Sequence, residues 1–187
     1  RDRALLPMDS RSGEQLLALP PGVDAGVRTH ELLVVDDEVL IRDFFKSTLP
    51  SVELQCDQAA DGLQCLESVR AKRYDLVLLD VDMPGMKGPE VCRVLRQNPP
   101  YPHLKIIMMS GRATGDELAE VMLAGADDYL VKPLSIIQLK ARIKAALRLK
   151  DAQDHSALLN RHLLAVNQVQ EGNLTARDSD LVHARNA

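Results

Sequence analysis

The chain has 187 residues, 45% hydrophobic, 27% charged and 3% aromatic, with a formal net charge of -4, a balance that excludes a basic, aromatic-laced surface for nucleic acid. No apolar run approaches the ~20 residues that cross a bilayer, so no membrane association is expected and a cytoplasmic location is. Cys56, Cys65 and Cys92 form no CxxC or CxxH spacing, which excludes a zinc knuckle and argues against a disulfide framework.

Residues 1–30 mix charge, Ser, Gly and Pro20-Pro21 and read as a poorly structured tail. The chain opens on Arg1 rather than Met, and the expectation is a piece of something longer. From Glu31 strands alternate with helices, the signature of parallel βαβ units. The first strand is predicted over 31–36, on Leu32-Leu33-Val34-Val35, and the first helix over 38–49, with Val39, Ile41, Phe44, Phe45 and Leu49 as its apolar positions. Val52-Glu53-Leu54-Gln55-Cys56 alternates apolar and polar, which predicts an edge strand with one wet face. A helix over 62–71 and a continuous apolar strand over 75–80 follow. Pro84-Gly85 and Gly88-Pro89 bracket a tight loop before a third helix carrying Val91, Val94 and Leu95. The fourth strand is predicted over 105–110 and its helix over 114–124, closed by Gly125. The fifth strand, 129–131, ends at Lys132-Pro133, and the last helix starts near Ser135 as N-cap. Beyond Leu149 helical character continues, with a short coiled-coil-like seam on Leu159, Leu163, Val166 and Val169 that gives out before Gly172.

Strand-end positions carry the chemistry. Strands without alternation are buried on both faces, and a doubly wound sheet gathers their carboxyl ends into one crevice. Asp36-Asp37 ends the first strand, Asp80 the third, Ser110 the fourth and Lys132 the fifth. Taken singly, each has an ordinary reading: the acid pair as a helix cap, Ser110 as a turn hydroxyl, Lys132 as a solvated charge. Together they form a cluster of acids that needs a counter-ion, and an all-oxygen donor set points to Mg²⁺. Asp80 is then the carboxylate placed to attack a phosphoryl group, with Ser110 donating to one phosphoryl oxygen and Lys132 pairing with another.

This constellation resembles the receiver domain of bacterial two-component response regulators. The residues that carry the resemblance are Asp36-Asp37, the stretch Asp80-Val81-Asp82-Met83-Pro84-Gly85-Met86-Lys87-Gly88, Ser110-Gly111 and Lys132-Pro133, in the family's order over about 31–149. The resemblance implies a doubly wound five-stranded parallel sheet in flavodoxin-like order 2-1-3-4-5. It implies Asp80 as phospho-acceptor, Mg²⁺ held by Asp36, Asp37, Asp80 and the Asp82 backbone carbonyl, Ser110 and Lys132 as active groups, and Ser110 with Tyr129 as the switch. The implied partner is a histidine kinase or phosphotransfer protein. The implied signalling face is helix 4, strand 5 and helix 5, with a homodimer through that face or through the C-terminal helix. Asp82 and Arg112, each two residues past a site residue, are candidate modulators that could bridge the mouth.

Residues 31–149 are thus expected to be the receiver, and 150–187 a helical linker or coiled coil to an output domain. The linker resembles the one preceding cyclic-di-GMP phosphodiesterase domains of the HD-GYP type, and a diguanylate cyclase or a histidine kinase could follow a similar one. The receiver would not itself be an enzyme beyond its own phosphorylation and dephosphorylation. The competing reading is an aspartyl phosphatase of the haloacid dehalogenase type, whose D-x-D motif Asp80-Val81-Asp82 imitates. Against it, Pro84 stands where that family has Thr or Val, and that family's nucleophile ends its first strand.

Overall fold

The computed structural model describes residues 28–185 except Ala113, with side chains through Gly172. The expected N-terminal tail therefore lies almost wholly outside the described residues. Five parallel strands, β1 (His30–Val35), β2 (Leu54–Ala59), β3 (Leu76–Asp80), β4 (Lys105–Ser110) and β5 (Asp128–Val131), form one sheet in the order β2-β1-β3-β4-β5. The helices are α1 (Val39–Thr48), α2 (Gly62–Ala71), α3 (Gly88–Gln97), α4 (Gly115–Leu123) and α5 (Ile136–Arg185). Of the described residues, 28–154 belong to one compact unit, and the helix from His155 onward belongs to another.

The expected doubly wound order holds because the central strands are apolar on both faces. One face of the sheet packs Leu33, Val77, Leu79, Ile106 and Met108 against Cys65, Val69, Val91, Leu95 and Val121 of α2, α3 and α4. The other packs Leu32, Val34, Leu78, Ile107 and Met109 against Phe45 of α1 and Leu139, Ile143 and Leu147 of α5. Alternate residues of one strand thus serve opposite cores.

Some predicted details shift. The edge strand begins at Leu54 rather than Val52, because Ser51 and Leu54 exchange backbone hydrogen bonds in a turn, leaving Val52 86% exposed. It then continues through Asp57 and Gln58, polar residues that a sheet edge tolerates. In α1 only Ile41, Phe45 and Leu49, at the i, i+4, i+8 spacing of one helical face, turn inward, whereas Val39, Leu40 and Phe44 are exposed. The last helix passes through Gly172 to Arg185; a single helical glycine costs only about 1 kcal/mol against alanine, less than is needed to break a long helix. Among the described residues no helix is long and apolar enough to cross a membrane.

Candidate functional site

The sheet register brings the strand ends level. Val35 pairs with Leu79, Asp80 with Met109, and Ser110 with Val131, so the residues just after β1 and β5 and the last ones of β3 and β4 meet at one edge. The Val81 N–H donates to the Met109 carbonyl at 2.8 Å and the Lys132 N–H to the Ser110 carbonyl at 2.7 Å, which extends the ladder into the loops.

Asp36, Asp80 and Lys132 converge. Lys132 Nζ lies 2.8 Å from Asp36 Oδ2 and 2.6 Å from Asp80 Oδ1. The remaining oxygens accept backbone donors: Asp36 Oδ1 from Glu38 N–H at 2.9 Å, Asp80 Oδ2 from Asp82 N–H at 3.0 Å. Asp36 is fully buried and Asp80 nearly so. Burial lifts the Asp80 carboxyl above the ordinary aspartate range; the Lys132 hydrogen bond opposes that lift and the Asp36 charge adds to it. Burial alone would lower Lys132, but its hydrogen bonds to Asp36 and Asp80 outweigh that and hold it above the ordinary lysine range.

Loop geometry aims these groups. Gly88 approaches so closely that a Cβ there would collide with the Asp80 carbonyl and reach Val81 Cα at 3.0 Å, and its N–H donates to the Val81 carbonyl at 3.0 Å. Gly85 takes φ +77°, a left-handed conformation that glycine adopts without penalty. On the other side the Arg42 guanidinium donates to the Asp36 carbonyl at 2.6 Å.

Among the described residues the other predicted side chains make no hydrogen bond or ion pair to this trio. Asp37, next in sequence to Asp36, is exposed. Ser110 is fully buried, but its hydroxyl donates to Glu117 Oε1 at 2.9 Å and accepts from the Arg112 N–H at 3.0 Å. Half-buried Tyr129 donates its phenol to the Arg112 carbonyl. Arg112 Nε and Asp82 Oδ2 approach to 4.0 Å across the mouth, both well exposed. Glu117 is the contact that motif reading missed. Its signal was present as Thr114-x-x-Glu117, a helix-start pattern, and the Thr114 hydroxyl does accept the Glu117 N–H at 3.3 Å.

Among the described residues no three His, Cys, Asp or Glu side chains stand together around one point. Mg²⁺ does not need three, since it is commonly held by one or two carboxylates with phosphate and several waters. The two buried carboxylates, sharing a single ammonium and adjoined by Asp37, leave an excess of negative charge on hard oxygen donors. That donor set fits such an ion.

Residues 32–144 match the family described as response regulator receiver domain. The DNA-binding response regulator MtrA of Mycobacterium tuberculosis is 38% identical over 120 residues, 64% of this chain and 51% of that protein. The transcriptional regulatory protein CseB of Streptomyces coelicolor is 42% identical over 121 residues, 65% of this chain and 50% of that protein. The chain thus spans about half the length of the curated relatives it matches. Among solved structures, the response regulator TrrA of Thermotoga maritima in complex with Mg²⁺-BeF is 32% identical with a TM-score of 0.56, covering 63% of this chain and 99% of that one.

Proposed function

The chain belongs to the response regulator receiver domain family of two-component systems, and from that membership we propose that Asp80 is its phospho-acceptor. The observation that carries this is the bridging of Asp36 and Asp80 by one ammonium, Lys132 Nζ, at the edge where β1, β3 and β5 end. In the proposed step an Asp80 carboxylate oxygen attacks the phosphorus of a phosphohistidine on a histidine kinase or phosphotransfer protein. An O–P bond forms, the P–N bond breaks, and the donor imidazole leaves with a proton.

Lys132 turns from the Asp80 oxygen to a phosphoryl oxygen, its raised pKa keeping it cationic throughout. Ser110 supplies a hydrogen bond to a second oxygen. Asp36, Asp37, Asp80 and the Asp82 carbonyl are the residues that would hold Mg²⁺. When bound, that ion screens the repulsion between carboxylate and phosphoryl group and neutralises charge on the phosphoryl oxygens. Reorientation of Ser110 then frees Tyr129 from the Arg112 carbonyl, and the face of α4, β5 and the receiver part of α5 changes. Turnover on small phosphomonoesters is not expected, and the haloacid dehalogenase reading is not favoured. A cytoplasmic site of action fits a kinase-fed receiver.

The output controlled by this face is a proposal of its own. The linker resemblance favours a cyclic-di-GMP phosphodiesterase of the HD-GYP type, while MtrA and CseB are described as DNA-binding and transcriptional regulators. Assaying the longest natural form of the protein for cyclic-di-GMP hydrolysis and for DNA retention separates the two. The acceptor reading is tested by treating the chain with acetyl phosphate and Mg²⁺ and mapping the product by mass spectrometry. One phosphate on Asp80, absent from Asp80→Asn, is expected; phosphate elsewhere, or none, overturns it.

A further inference from the structure

Ser110 has a single hydroxyl proton, and in this structure that proton is committed. It goes to Glu117 Oε1 at 2.9 Å, while the oxygen accepts the Arg112 N–H at 3.0 Å. A hydroxyl donates one hydrogen bond at a time, so Ser110 cannot serve Glu117 and a phosphoryl oxygen together. We propose that Glu117 is a positioning residue, a latch that holds the Ser110 hydroxyl away from the Asp80 site until a phosphoryl group competes for it. The inference rests on the reading of Asp80 and Ser110 given above.

The latch is well supported on its helix side. Glu117 is the third residue of α4, and its backbone N–H donates to the capping hydroxyl of Thr114 at 3.3 Å, so the carboxylate is delivered from a fixed helix start. Its second oxygen, Oε2, is buried and has no hydrogen-bond partner among the described residues. The Ser110 hydroxyl is the side-chain donor this carboxylate has, and a bond to an ionised acceptor is stronger than one between neutral groups. When Ser110 turns to a phosphoryl oxygen, half-buried Glu117, whose Oε2 is already buried and unpartnered, loses its side-chain donor as well, a costly arrangement. A shift of the first turn of α4 that brings this shielded oxygen to water relieves the loss. Occupancy at Asp80 is thereby coupled to α4 through Glu117, separately from the coupling through Tyr129.

The test uses beryllofluoride with Mg²⁺ as the phosphoryl probe, titrated by calorimetry into wild type, Glu117→Ala and Glu117→Gln. Removing the acceptor should tighten probe binding roughly tenfold, and the isosteric Gln, which keeps a neutral acceptor, should fall between. In Glu117→Ala without probe, the Arg112 amide resonance should already lie toward its bound-state position. In a Ser110→Ala background the effect of Glu117→Ala on probe affinity should vanish, because the latch acts through that hydroxyl. A role confined to capping α4 would lower Tm and leave probe affinity unchanged. Wild-type affinity in Glu117→Ala and Glu117→Gln overturns the latch while leaving the acceptor reading intact. Failure of wild type to bind the probe at all removes both.

Discussion

Asp36 and Asp80 compete for one ammonium: Lys132 Nζ lies 2.8 Å from an oxygen of the first and 2.6 Å from an oxygen of the second. Two buried carboxylates with one cation between them form a site stable enough to fold and still electrostatically incomplete. Lys132→Ala leaves both acids without it and should cost about 3–5 kcal/mol of stability at pH 7, the range for removing one partner of a buried charge cluster. The loss should shrink as pH falls and Asp80, whose carboxyl burial lifts, protonates. Urea unfolding of both proteins across pH checks this, with phosphorylation by acetyl phosphate lost in the variant.

Asp80→Asn should raise stability at neutral pH. Burial, set against the Lys132 bond, lifts the folded-state pKa of Asp80 above its ordinary value of 3.8. A raised acid favours folding below that ordinary value, and the favour is lost as pH rises through the folded value. The ionised group therefore opposes folding at pH 7, and its removal should stabilise on the order of 1–3 kcal/mol, as neutralising buried charge often does. The gain should disappear below pH 3.8. Thermal melts at several pH values, where an unchanged Tm at pH 7 counts against the argument, read this directly.

Gly88→Ala should damage the site from behind. The added methyl collides with the Asp80 carbonyl, a backbone atom with no freedom to yield. Overpacking of that kind costs about 1–3 kcal/mol, and the phosphorylation rate should fall because Asp80, the proposed acceptor, is displaced. Chemical denaturation and a phosphorylation time course measure the two effects; a variant with normal stability and rate would contradict the contact.

Asp82→Asn and Arg112→Ala should change the lifetime of the phosphorylated protein severalfold while leaving stability nearly untouched. Their charged groups approach only to 4.0 Å and both are exposed, so the pair contributes little to folding. On the proposed reading of Asp80, a pair two residues past Asp80 and Ser110 restricts the water that reaches the phosphoryl group. Equal decay half-lives for wild type and both variants would end the idea.

Far from the site, Asp154 secures the receiver part of α5. Its Oδ1 meets His103 Nδ1 at 2.7 Å, and its Oδ2 accepts from the fully buried Lys150 Nζ at 2.7 Å. Burial alone would raise this carboxyl, but the bonds from Lys150, His103 and Arg28 prevail and hold it at about 2. A depressed acid stabilises above its unfolded value and loses that contribution as pH falls through the folded one. Asp154→Asn should cost about 1–3 kcal/mol at pH 7, with the deficit closing as pH falls from 3.8 toward 2. Acid titration followed by circular dichroism tests the convergence of the two curves.

Much of this molecule is local. Uninterrupted apolar runs at Leu32–Val35, Leu76–Leu79 and Ile106–Met109 announce strands buried on both faces, and turn residues at Pro84-Gly85 and Gly125 divide them from helices. Given those units, right-handed crossovers gather the strand ends, so the meeting of Asp36, Asp80 and Lys132 could be anticipated from strand ends alone, whereas the order β2-β1-β3-β4-β5 was implied by the family resemblance. What the tertiary structure alone decided is which partner each polar group chose. Ser110 is equally competent to face Asp80 or Glu117, and Lys132 to pair with one acid or both. A hydroxyl rotor and a flexible ammonium carry no preference in their residue type; helix placement and burial select among their acceptors. The inward face of α1 was likewise open, since Phe44 and Phe45 are equally apolar and only the packing of Phe45 against the sheet distinguishes them.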